Sequence, residues 1–254
     1  MSSRISIDQK LKVLEELLAA QDEQVLAEFQ ERLDMSWIYH DSALEGSVLS
    51  YHELKSAIDK DVVSDVSLIP TYDEIRAHKS AIDFVRETAA QKKKVPITVE
   101  FLRKLQEMAA PDDPEIKENG WRKETPVHRL YFHDIAAPDK IAAEMKKVVD
   151  WLNEPETRKL AALRLASKLH FKLMQVYPFS RQSGKLARLA MNLVLLRSGY
   201  PPAIVHSTER QRYYESLRGP SVVLHNLMLD SLENSIDSAN KHFSEARSGR
   251  RAIA

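Results

Sequence analysis

Apolar residues recur at helical spacing along most of the chain. Ile7, Leu11, Leu14, Leu17 and Leu18 share one face of a 3.6-residue repeat, and Val25, Leu26, Phe29 and Leu33 do the same for a second helix. A helical run from Trp37 ends at Leu44-Glu45-Gly46, where the glycine is a stop signal. Ser50 with Glu53 three residues later forms a capping box for a short helix. Pro70 and Thr71 open a segment with Ile75, Ile82 and Val85 in helical phase, and Thr98 caps a helix carrying Phe101, Leu102, Leu105 and Met108. Further helices are predicted from Pro138 to Asn153, from Glu156 to Val176 and from Gly184 towards Gly199. A long amphipathic helix follows in the tail, and the last residues, R-S-G-R-R-A-I-A, read as frayed.

The pattern breaks in two places. Pro111 to Gly120 is punctuated by prolines, Asp and Asn and reads as loop. The next stretch, W-R-K-E-T-P-V-H-R-L-Y-F-H-D-I, has a weakly strand-like composition and is predicted to form a small β-hairpin interrupted by Pro126. The basic run Lys92-Lys93-Lys94 before Pro96 reads as a linker rather than a nucleic-acid patch. It divides an N-terminal helical segment, 1–94, from a core with a C-terminal helix, 95–254.

Composition narrows the class. Six glycines in 254 residues, with abundant Ala, Leu, Glu and Lys, favour a mainly α protein with one substantial core. Lys plus Arg and Asp plus Glu are equal at 37 each, so no net charge draws the chain to nucleic acid or an anionic membrane. Cysteine is absent, which excludes disulfides and thiolate metal sites and suits a cytoplasmic location. The N-terminus has no secretion signal and no apolar run is long enough to span a bilayer, so a soluble protein is expected. The histidines show no metal-ligand spacing.

One loop carries the candidate chemistry. Tyr177 to Arg188 reads Y-P-F-S-R-Q-S-G-K-L-A-R between two helical runs. Ser183 is placed to cap the following helix, and Gly184 permits close approach of a ligand to the backbone. Lys185 and Arg188 lie three apart on one face of the first turn, and Arg181 adds a third cation. A helix start with three cations is a local anion site. The plainer reading is an ordinary turn between helices with solvated cations.

The arrangement resembles the Fic (Fido-fold) family, whose signature is H-x-F-x-D/E-G-N-G-R-x-x-R. The likeness extends over roughly residues 95 to 235: His170 stands seven residues before the catalytic position, Gly120-Trp121-Arg122 followed by Val127 resembles the flap segment, and Tyr213-Tyr214-Glu215-Ser216-Leu217 resembles a Y-Y-x-x-L element. Asp41 to Gly46, D-S-A-L-E-G, is similar to the family's inhibitory motif, with Glu45 and Gly46 in place and Asp41 where Ser or Thr is usual. The resemblance implies a helical core, a β-hairpin flap able to hold a peptide by strand addition, a base pocket at Tyr213 and Tyr214, and a Glu45–Arg188 pair at the γ-phosphate position.

The signature is altered where the chemistry sits. Tyr177 occupies the place of the catalytic histidine, and a phenol, with an ordinary pKa of about 10, is a poor base near neutrality. Arg181 replaces the acid that holds Mg²⁺ in the family, and a guanidinium does not ligate metal. Gln182 and Ser183 replace glycine and asparagine, and Lys185 keeps charge without bidentate geometry, whereas Phe179, Gly184 and Arg188 are unchanged. The expected function is a pseudoenzyme that keeps a nucleotide-type anion site at Arg181, Gln182, Ser183, Gly184, Lys185 and Arg188 without protein AMPylation. ATP or another nucleotide is the expected ligand and Mg²⁺ is not expected to be needed. Two alternatives stay open: an active, noncanonical transferase moving AMP, phosphate or another group onto a protein hydroxyl, and a structural or homo-oligomerising protein.

Overall fold

The computed structural model describes residues 6–58, 66–118, 120–126 and 133–247. The N-terminal helices are α1 (Ile7–Ala19), α2 (Glu23–Leu44), α3 (Tyr51–Ile58) and α4 (Ile69–Ala90). They are followed by α5 (Val99–Ala109), the single turn α6 (Pro114–Lys117), α7 (Ile141–Asn153) and the single turn α8 (Pro155–Arg158). The last four are α9 (Ala162–Val176), α10 (Ser183–Leu196), α11 (Arg210–Arg218) and α12 (Ser221–Arg247).

Local chemistry sets several of these boundaries. Ser50 and Glu53 exchange the two hydrogen bonds of a capping box ahead of α3. Thr98 caps α5 by accepting from the Phe101 amide at 3.1 Å. At the end of α2, Gly46 adopts φ +98°, its amide donates to the Ala43 carbonyl, and the Ser47 amide reaches back to Ser42. That pair of bonds is a Schellman ending, and it fixes Glu45 at the helix terminus. The helix expected from Glu156 to Val176 is instead split, because Pro155 opens a separate turn that closes at Leu160 before α9 begins.

Helix α10 lies at the centre. Every residue from Ser183 to Leu195 is buried, the pattern of a helix enclosed on all sides. It packs against α9, α4 and α5, and α12 covers α9 from the other side. Helix α1 lies along α12, with Lys10 bonded to Glu233 and Asp237. Leu14, Leu44, Ile75, Leu169, Leu189 and Leu232 therefore belong to one apolar cluster that runs through N-terminal and C-terminal helices alike.

The expected β-hairpin is not formed: there is no strand among the described residues. Val127 and the rest of 127–132 lie outside them. The backbone amides of the flanking arms bond to the end of α9 and to the loop after it. The Arg122 amide donates to the Pro178 carbonyl and the Ala136 amide to Gln175. The buried Arg122 side chain donates to the carbonyls of Tyr177, Glu124 and Ala136. Backbone groups used this way, beside a proline, are lost to a sheet ladder. Strand addition by a peptide loses its basis with the hairpin.

Candidate functional site

The loop between α9 and α10 is held open by two left-handed residues. Tyr177 terminates α9 at φ 48°, ψ 66°, and Gln182 precedes α10 at φ 60°, ψ 7°. Residues with a Cβ avoid this region, which accounts for a glycine at the Gln182 position in the Fic signature. Several anchors hold the loop in place. The Ser183 hydroxyl accepts from the Phe179 amide at 2.9 Å and donates to the Phe179 carbonyl at 2.8 Å. Ser183 is thus the first helical residue and its side chain does not cap the helix. The Ser180 amide and hydroxyl both donate to Glu115, and the Arg181 carbonyl accepts from Gln106. Tyr177 is buried, and its carbonyl accepts from Arg122 Nε at 2.6 Å.

The two cations of α10 are enclosed. The side chains of Lys185 and Arg188 are 0% and 1% exposed, and each meets carboxylates of the N-terminal helices. Lys185 Nζ lies 2.7 Å from Glu74 Oε1, which also accepts from Gln182 Nε2 at 3.1 Å. Arg188 Nε donates to Asp41 Oδ1 at 2.7 Å and Arg188 Nη2 to Glu45 Oε1 at 3.0 Å. Its Nη1 donates to the Tyr213 hydroxyl at 3.2 Å. The Glu45 carboxylate rests directly on Gly184: a Cβ there would stand 2.0 Å from Glu45 Oε1. By helix geometry this is where the first amides of α10 lack intrahelical acceptors. The Glu45 carboxylate therefore lies against the first turn of α10.

The protonation states follow from the surroundings. Burial raises the Asp41 pKa, but the neighbouring Arg188 and His78 outweigh it and bring it down to about 2, so Asp41 is a carboxylate. His78 Nε2 lies 3.3 Å from Asp41 Oδ2, and burial lowers the His78 pKa. His170 is pushed down to about 3 by burial and by the Arg188 charge, so its ring is neutral. The Tyr213 hydroxyl accepts from Arg188 and shares a hydrogen bond of 3.0 Å with His170 Nε2. Burial raises the Tyr213 pKa further and keeps its phenol protonated.

Helix α11 completes the enclosure. The Tyr214 hydroxyl and Arg210 Nε both donate to the Leu44 carbonyl, at 2.9 and 3.1 Å, pinning the end of α2 over α10. Tyr213 and Tyr214 are both buried, stacked edge to face at 5.0 Å. Arg181 is the outlying cation: it is exposed and lines a cavity of about 460 Å³ together with Asp73, Glu74, Asp112 and Asp113. Among the described residues no group of three or more His, Asp or Glu side chains is arranged to hold a metal ion. With a guanidinium at the family's acid position, these residues do not fit Mg²⁺.

Glu45, Gly184 and Arg188 thus meet, and Lys185 and Gln182 converge on Glu74. Sequence reasoning missed Glu74, His78 and Glu115. A signal existed for His78, which continues the apolar phase of Ile75, Ile82 and Val85 and so had to face the core. Glu74 and Glu115 gave none.

Comparison with known proteins follows the same outline. Residues 96–195 match the profile of the Fic/DOC family. The chain is 28% identical over 181 residues to the protein adenylyltransferase fic-1 of Caenorhabditis elegans, a match covering 71% of this chain and 35% of that protein. It therefore spans about a third of the length of that relative. A solved Fic domain containing signaling protein from Bacteroides thetaiotaomicron superposes with a TM-score of 0.78 at 24% identity, covering 96% of this chain and 98% of that one. The solved Fic-1 fragment from C. elegans gives 0.75 at 24% identity, covering 93% and 72%. The chain has the fold of these Fic proteins, and its central residues 96–195 match the Fic/DOC profile. Asp41, Glu45, Glu74, His78 and Tyr213 all lie outside the matched segment.

Proposed function

We propose that this protein is a divergent Fic-fold pseudoenzyme whose nucleotide-type anion site is kept but closed by its own carboxylates. The observation that carries the reading is the double clamp on Arg188, with Asp41 at 2.7 Å and Glu45 at 3.0 Å. A cation held by two carboxylates is electrostatically satisfied, and a phosphate must displace at least one of them to reach it. Glu45 is the displaceable partner, since its side chain is 15% exposed against 1% for Asp41. Glu45 takes the inhibitory role and Asp41 holds Arg188 in place. Tyr177 supports the absence of AMP transfer, because a buried phenol lacks the exposure of a general base.

Nucleotide binding in this account is metal-independent, with Arg181 supplying charge near the loop. The test is thermal shift and intact mass with ATP, ADP and AMP, with Mg²⁺ or chelator, on wild type and Glu45→Gly. The reading expects nucleotide stabilisation in Glu45→Gly that is equal with and without Mg²⁺, and no mass gain in either protein. A mass gain matching a transferred group, lost on Arg188→Ala, would establish a working transferase instead.

A further inference from the structure

The far end of α10 holds a second site of different character. A cavity of about 490 Å³ opens where Val194, Arg197 and Ser198 leave the helix. At 1.5 Å per residue this is roughly 20 Å from the loop at Ser183. Its walls come from the segment joining α4 to α5, the end of α7, α8 and the start of α9. Ile97, Leu152, Leu165 and Val194 give it an apolar floor.

Its charged residues all have one sign. Lys94, Arg158 and Arg197 line it, and no Asp or Glu does. Some arginines elsewhere hold carboxylates, as Arg86 does with Asp34 and Arg212 with Asp230. Here the acceptors are neutral: Arg158 Nη2 donates to Asn153 Oδ1 at 2.9 Å, and Arg197 Nη2 donates to the Val95 carbonyl at 2.7 Å. Arg197 Nε is enclosed with no acceptor among the described residues. Burial lowers the Arg197 pKa with nothing raising it, the mark of a desolvated cation lacking a counter-charge. Three cations lining the cavity beside apolar residues, in a volume typical of small-ligand sites, define the ligand chemistry.

We propose that this cavity binds a small amphipathic anion, an apolar body with a single carboxylate or phosphate head, the head held by Lys94, Arg158 and Arg197. The basic run at Lys92–Lys94 then ends as one wall of a ligand site. The site is independent of the Arg188 clamp and stands or falls separately from it.

Titration calorimetry of the full chain with octanoate, octyl phosphate and 1-octanol tests this. At least one of the two anions binds saturably, and its preference over the other identifies the head group. Octanol binds at least about tenfold more weakly, the factor expected when a charge-assisted hydrogen bond is lost. Arg197→Met weakens the anion by a similar factor, and so does the Lys94→Met/Arg158→Met pair. Lys94 and Arg158 are exposed, so that pair keeps the fold even if Arg197→Met does not. Absence of saturable binding by either anion at millimolar concentration would overturn the proposal. So would octanol binding as tightly as the anions, or an unchanged affinity in the double variant.

Discussion

The two carboxylates on Arg188 should differ sharply in their contribution to stability. Asp41 lies in the interior with its side chain 1% exposed, beside a guanidinium that is equally buried. Truncating it as Asp41→Ala leaves a buried cation with Glu45 as its remaining carboxylate, and breaking a buried pair costs about 3–5 kcal/mol. Glu45 is partly solvated, so Glu45→Ala removes one charge-assisted bond worth about 1.5–3 kcal/mol, reduced by water that can take its place. Removing the cation as well should rescue much of the first loss. Asp41→Leu with Arg188→Met is expected to be more stable than Asp41→Leu alone, with a coupling of about 2 kcal/mol. Urea unfolding of the single and double variants at pH 7 measures all of this through the midpoint at constant m. If Asp41→Ala costs no more than Glu45→Ala, or the double variant shows no rescue, the buried clamp is not the dominant interaction and the reasoning fails.

Other expectations follow from the same contacts. Gly184→Ala places a methyl against Glu45 Oε1, so it should cost about 1–2 kcal/mol in wild type and less than half of that in a Glu45→Gly background, read by the same urea cycle. At Gln182, φ 60° costs about 1–2 kcal/mol, and the bond to Glu74 returns about 1 kcal/mol. Gln182→Gly is therefore expected to lie within about 1 kcal/mol of wild type, while Gln182→Val loses on both counts; a Gln182→Val protein as stable as Gln182→Gly would refute the strain argument. The buried histidines make the protein acid-sensitive. His170 and His40 are held down to about 3 and about 4, chiefly by burial, against an ordinary 6.5. The unfolded chain gains those protons first, so stability rises with pH between about 4 and 6.5, by up to about 1.4 kcal/mol per unit for the buried His170 and by less for the partly exposed His40, whose share is screened by solvent. Below that window Asp41 adds a loss as pH falls from 3.8 through about 2. Unfolding free energies at pH 7 and pH 5 check this, and equal values would contradict it.

The helices were legible because their signals are local. The Gly46 stop, the Ser50–Glu53 box and the Thr98 cap each depend on residues a few positions apart, and each reappears as a hydrogen bond. The loop was legible through the Fic resemblance, which drew Glu45 and Arg188 to the same place across 143 residues. What failed was the environment of charge. Lys185 and Arg188 read as cations of an anion site, with solvation as the plainer alternative, and only the fold brings Glu74 and Asp41 against them. The hairpin failed for a related reason. Strand-like composition around Trp121 takes no account of Arg122, whose guanidinium fastens the segment to the carbonyls of Val176 and Tyr177 at the end of α9.

The central claim is that the chain's own carboxylates close an anion site that no longer performs AMP transfer. The most direct test is calorimetric titration of ATP into wild type and into Asp41→Asn/Glu45→Gly, with intact mass read on both samples afterwards. Asp41→Asn keeps an oxygen for Arg188 Nε and removes the charge, and a circular-dichroism spectrum and urea midpoint taken beside the titration establish that the double variant is folded. The account predicts at least about tenfold tighter ATP binding in the double variant and an unchanged mass in both proteins. Equal affinity in the two proteins, or covalent addition of AMP or phosphate to either, would contradict it.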